Sequence, residues 1–102
     1  MSQLKFSVKD PDEVLVLSFD FANLLDQGET ITAAVFDATD LTDGSDATAT
    51  LIDGAAEISG SIVEQLVHAG DVGHSYLIRS QVTTSEDRVL VGSATLPVKI
   101  GA

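Results

Sequence analysis

The hydrophobic residues of this chain recur with a period of two, and that alternation limits what it can fold into more than any other feature. A period of two places successive side chains on opposite faces of a strand, whereas an amphipathic helix needs a period of 3.6. The clearest case is Val14 to Phe21: Leu15, Leu17, Phe19 and Phe21 share one face, while Val14 and Val16 begin another that turns polar at Ser18 and Asp20. Leu4, Phe6 and Val8 alternate with Lys5 and Ser7. Tyr76, Ile78, Ser80 and Val82 share a face within Tyr76 to Thr83, as do Leu90, Gly92, Ala94, Leu96, Val98 and Ile100 within Arg88 to Ile100. Ile31 to Phe36, Thr48 to Ile52, Ala55 to Ser59 and Ile62 to Val67 complete the predicted strands.

Between these runs lie turn signals. Lys9-Asp10-Pro11-Asp12, Asp53-Gly54, Gly60-Ser61 and Ser85-Glu86-Asp87 read as turns, because Pro fixes φ, Gly reaches positive φ and Asp tolerates turn geometry. Asp37 to Asp46, with four Asp and a Gly, reads as a loop, as does His68 to Gly73. Only Asn23 to Gly28 departs from the extended pattern: Ala22, Leu24 and Leu25 suit a single helical turn closed by Gly28. Seven or eight short strands with turns every eight to twelve residues argue for an all-β sandwich or a small barrel. Pro97 cannot donate to a sheet ladder, so the last strand, or its end, belongs at an edge or bulge. The 102 residues form one domain, 1–102, with no repeat or linker.

Charge excludes whole classes of partner. Sixteen Asp and Glu stand against five Lys and Arg, a net charge of −11. Nucleic-acid binding needs cations that replace phosphate counterions, and an anionic membrane surface needs the same sign. Neither is an expected partner. An acidic surface favours solubility, and its ordinary reading is a solvated face, with a basic protein partner as the second reading. The first ten residues lack the basic-then-apolar pattern of a cleaved signal, and no apolar run exceeds the length of Val14 to Leu17, far too short to span a bilayer. The absence of Cys fits synthesis in a reducing cytoplasm.

The residues that carry chemistry are few. His68 and His74 flank one loop, with Asp71 between them and Ser75 after, and they read as exposed loop histidines rather than metal ligands. No strained G-x-S-x-G turn supports a Ser–His–Asp arrangement. The Asp37 to Asp46 stretch offers hard oxygens for calcium, yet its spacing is not that of an EF-hand, and it reads as an ordinary acidic loop. The pairs Asp12/Glu13 and Glu86/Asp87 are adjacent in sequence and read as solvated turn charges. Tyr76, at the start of a strand after a Gly loop, suits a tyrosine corner whose hydroxyl bonds to the backbone upstream. The expectation is a non-enzyme, with no catalytic, cofactor-binding or metal residues and no cofactor.

Four segments carry a resemblance. They are Lys9-Asp10-Pro11-Asp12-Glu13-Val14-Leu15; Ser18-Phe19-Asp20-Phe21 with Leu24-Leu25 and Gly28-Glu29-Thr30-Ile31-Thr32; Ala69-Gly70-Asp71-Val72-Gly73 ahead of Tyr76; and Gln81-Val82-Thr83-Thr84-Ser85. Their order and spacing resemble a family of small bacteriophage fibre-tail adaptor proteins. Members of that family often carry Trp in the second, third and fifth strands, where this chain has Phe21, Phe36 and Leu66. The resemblance implies an immunoglobulin-like β-sandwich of about seven strands. The expected core holds Phe6, Leu15, Leu17, Phe19, Phe21, Ile31, Phe36, Leu66, Tyr76, Ile78, Val82, Leu96 and Val98.

The resemblance also implies a virion structural protein, made in the host cytoplasm. It would link tail or baseplate to fibre, within a homo- or hetero-oligomeric assembly of phage structural proteins. The alternatives are a capsid-decoration or head–tail joining protein, or a non-viral adhesive or carbohydrate-binding sandwich with a calcium loop. Such a module binds through strand edges and end loops. Met1 to Val8 and Ala94 to Ile100 are the candidate segments, and they serve equally well to complete the protein's own sandwich.

Overall fold

The computed structural model describes residues 4–5 and 9–100. Among the described residues, seven strands form two facing sheets, and one helical turn accompanies them. Strands β1 (Leu4–Lys5), β7 (Val89–Pro97), β6 (Ser75–Thr84) and β3 (Ile31–Asp40) form one sheet in that order. Strands β2 (Leu15–Asp20), β5 (Ile62–Val67) and β4 (Ile52–Ser59) form the other. All pairings are antiparallel except β1 on β7, which is parallel through Leu4–Ala94 and Lys5–Thr95. Strands two, five and four facing strands three, six and seven is the arrangement of an immunoglobulin-like sandwich, with the first strand placed on the seventh.

Alternation builds the core. In β2, Leu17 and Phe19 point inward and Val16, Ser18 and Asp20 outward. In β6, Tyr76, Ile78, Ser80, Val82 and Thr84 are buried in strict alternation. Phe19 packs edge-on against Phe36, with ring centroids 5.7 Å apart, and lies 6.4 Å from Phe21. Such aromatic pairs add about 0.5–1.5 kcal/mol beyond the area they bury. Ile31, Leu96 and Val98 are buried as expected, and Leu15 is half-buried against the core. Phe6 lies outside the described residues.

Leu66 does not join the core. It is exposed, and β5 instead turns Val63, Gln65 and Val67 inward. The run Ile62-Val63-Glu64-Gln65-Leu66-Val67 has apolar residues on both faces, so the pairing register with β2 and β4 decides which set is buried. Gln65 is tolerated inside because its side-chain Nε2 donates to the Asp53 and Gly54 carbonyls at 3.0 and 3.1 Å. Those carbonyls lie where β4 slips out of register with β5, between Asp53 and Glu57. Asp53-Gly54 is therefore an irregularity inside β4, with Gly54 at φ +77°, and not the expected hairpin turn. The hairpin turn falls at Gly60, between β4 and β5.

Two further expectations change. Thr48 to Ile52 is not a strand: Thr48–Leu51 is a single helical turn, α1, and β4 starts at Ile52. The backbone N–H groups of Thr50 and Leu51 donate to Ala47, and the turn delivers Leu51 fully into the core between the sheets. Burial of Leu51 overrides the strand propensity of the two threonines. The acidic loop is also shorter than expected, because Asp37 to Asp40 extends β3 in register with β6 as far as Asp40–Tyr76. Leu24 and Leu25 both donate to the Phe21 carbonyl, giving the compact turn expected there, and Gly28 closes it at φ +81°. Pro97 ends β7, where its missing N–H costs nothing.

Candidate functional site

One polar constellation lies at the end of the sandwich where β3 finishes and β6 begins. The Tyr76 hydroxyl accepts the Asp71 backbone N–H at 2.8 Å, and the ring is buried. This is the expected tyrosine corner. It needs the loop to pass close over the sheet, and Gly70 allows that. A Cβ on Gly70 would come within 2.9 Å of the Val98 side chain, and its φ of +103° suits only glycine. The Asp71 carbonyl then accepts the His74 N–H at 3.1 Å.

His74 is not simply an exposed loop histidine. Its Nδ1 lies 2.7 Å from Oδ2 of Asp40, a buried carboxylate on β3, and its ring stacks near Tyr76. Burial pushes the Asp40 carboxyl up, but the His74 bond and the Thr42 N–H outweigh it and hold the group below its ordinary range. The same bond raises His74 against the opposing effect of burial. Asp40, Asp71 and His74 bring potential ligand atoms within 4.8 Å of one another; His68 is not in this group. Sequence reasoning missed Asp40, because it was read as part of a loop and its partner lies 34 residues away.

The other acidic side chains of this loop are turned to local work. Oδ1 of Asp40 accepts the Thr42 N–H, Oδ1 of Asp43 accepts the N–H and hydroxyl of Ser45, and Oδ1 of Asp46 accepts those of Thr48. These are turn-stabilising bonds, and they account for the lowered pKa of Asp43 and Asp46.

Two buried ions fix the strand ends. Lys9 is fully buried, and its ammonium donates to the carbonyls of Ala69 at 2.7 Å, Asp10 at 2.8 Å and Pro11 at 3.4 Å. Desolvation lowers its pKa, partly offset by Glu13, Asp10 and Asp12. Its backbone joins β7 through the Pro97 carbonyl and the Lys99 N–H. At the opposite end, Glu29 takes a forked bond from Arg88 and a 2.5 Å bond from the Thr84 hydroxyl. The Arg88 guanidinium holds Glu29 down at about 2, and is itself raised.

Both buried ions, the tyrosine corner and its glycine loop lie within the matched span of one family model, which covers residues 9–97 and is described as podophage GP4 fiber-tail adaptor protein gp77. The chain belongs to this family. A search of the curated proteins found no match. The matched span begins at the Lys9 turn and ends at Pro97, the last residue of β7.

For an adaptor family, the surfaces matter as much as the ends. The outer face of the β2–β5–β4 sheet exposes Val14, Val16, Ile62 and Leu66, with an open groove along Val16, Ala55, Glu57, Glu64, Gln65 and Leu66. The outer face of the β3–β6–β7 sheet exposes Val35, Val89 and Val91. Val35, Gln81 and Val91 stand in one cross-strand row there.

Proposed function

We propose that this protein is a non-enzymatic structural adaptor of a phage virion, joining tail or baseplate proteins to a receptor-binding fibre. The observation that carries this reading is the family match across residues 9–97. The architecture supports it. A sandwich held by Lys9, Tyr76 and Glu29 presents two apolar-spotted sheet faces, which suit protein partners more than a small substrate. The same match supports the fibre–tail junction over capsid decoration, head–tail joining or a non-viral adhesive role.

The partners are other virion proteins, within a homo- or hetero-oligomeric assembly formed in the host cytoplasm. Nucleic acid and membrane are not among them, since the net charge of −11 repels both phosphate and anionic lipid. No helix among the described residues is long and apolar enough to cross a membrane.

The test is genetic. Particles made without this gene should retain head and tail but carry no fibres, as seen by negative-stain microscopy, and supplying the protein in trans should restore them. Fibre-bearing particles that lack the protein would overturn the assignment.

A further inference from the structure

The charge of this protein is segregated in sequence and in space. No Lys or Arg occurs from Asp10 to Ile78, a span that holds fourteen of the sixteen Asp and Glu. Strands β2, β3, β4 and β5 all fall within it. The β2–β5–β4 sheet therefore contains no Lys or Arg.

On the outer face of that sheet, a pair of like charges and an exposed apolar pair stand side by side. Glu57 on β4 and Glu64 on β5 are direct cross-strand partners. Facing carboxylates repel, and a sheet usually places a cation at one of the two positions. In the neighbouring row, Val16 on β2 faces Leu66 on β5, and both are open to solvent at 56% and 43%. Val14 continues the apolar stripe at 60% exposure. The groove beside them runs between the apolar pair and the two glutamates.

We propose that this face, centred on Val16, Leu66, Glu57 and Glu64, is the docking surface for a cationic, partly apolar segment of another virion protein. The inference rests on the adaptor reading and deepens it. A Lys or Arg of the partner would sit between the two carboxylates and relieve their repulsion, while its alkyl stem covers Val16 and Leu66. A second copy of this chain is the poorer occupant, because a net charge of −11 per copy opposes bringing two such faces together.

The experiment uses the full chain in assembled particles. p-Benzoylphenylalanine at position 16 should crosslink to a tail or fibre protein, within a peptide that carries Lys or Arg. The same group at Val91, on the opposite sheet, is the control. The Glu57→Lys/Glu64→Lys variant exchanges one facing like-charge pair for another, so it should keep its thermal midpoint as a free protein, yet enter particles at least tenfold less than wild type. Glu57→Gln/Glu64→Gln serves as the milder variant should the double reversal not fold.

Crosslinks from position 91 alone, crosslinks from position 16 to a second copy, or normal incorporation of a folded charge variant would overturn the docking surface while leaving the adaptor role intact. Absence of the wild-type protein from particles would overturn both.

Discussion

The Asp71 backbone N–H points at the Tyr76 hydroxyl across 2.8 Å, tying the loop before β6 to the strand it feeds. The hydroxyl is buried with the ring, so removing it leaves the Asp71 N–H without that partner. Tyr76→Phe should lower stability by about 0.5–1.5 kcal/mol, the usual net worth of one such bond. Denaturant titration of the two proteins checks this, and an unchanged midpoint would show that the corner holds nothing.

A second bond at the same end responds to pH. His74 has a raised pKa because Asp40 stabilises its charged form. A raised folded value means that the contribution is complete below the ordinary 6.5 and disappears as pH rises through the folded value. The stability advantage of wild type over His74→Gln should therefore shrink on going from pH 6 to pH 9. An advantage that stays flat across that range would contradict the pairing.

Glu29 carries the opposite sign. Arg88, Thr84 and the Asp26 N–H hold its carboxyl at about 2, below the ordinary 4.5. Its contribution is present above 4.5 and is lost as pH falls from there to about 2. Wild type should lose stability steeply through that window, and Glu29→Gln should show a shallower slope. Parallel acid profiles for the two proteins would count against the ion pair.

The phase of β5 gives a contrast between two apolar residues that the sequence treats alike. Phe36 is buried and Leu66 is exposed. Phe36→Ala should cost about 3–5 kcal/mol, the range for emptying an aromatic core site. Leu66→Ser should stay within about 0.5 kcal/mol, as surface changes usually do. A large loss from Leu66→Ser would mean that β5 pairs in the other register.

These contrasts show where the sequence speaks and where it falls silent. Strands with one apolar face, such as Leu15 to Phe21 and Tyr76 to Thr84, reveal both their extent and their inward side, because alternation and burial agree. Strand β5 is apolar on both faces, so only its neighbours choose between Leu66 and Val67. The helical turn at Thr48–Leu51 hides behind residues with strand propensity, since its cause is the distant pocket that receives Leu51. Tyr76 was legible as a corner from its place after a glycine loop, and the Asp71 contact follows from that geometry. The Asp40–His74 pair was not legible, because nothing local in either segment signals a partner on another strand.

Ser80 offers a change in the stabilising direction. It is fully buried in the middle of β6, between Phe36 on β3 and Gly92 on β7, and its hydroxyl has no hydrogen-bond partner among the described residues. A buried hydroxyl without a partner forfeits the bonds it made to water, a cost of about 1–3 kcal/mol in proteins. Alanine removes the oxygen and keeps the Cβ, so the lost desolvation cost outweighs the small volume left empty. Ser80→Ala should therefore raise the denaturation midpoint, with a gain of up to about 1 kcal/mol once that volume is counted. Equilibrium unfolding in urea decides the matter: an unchanged slope with a higher midpoint is the expected result, and a loss of stability would mean that the hydroxyl has a bonding partner after all.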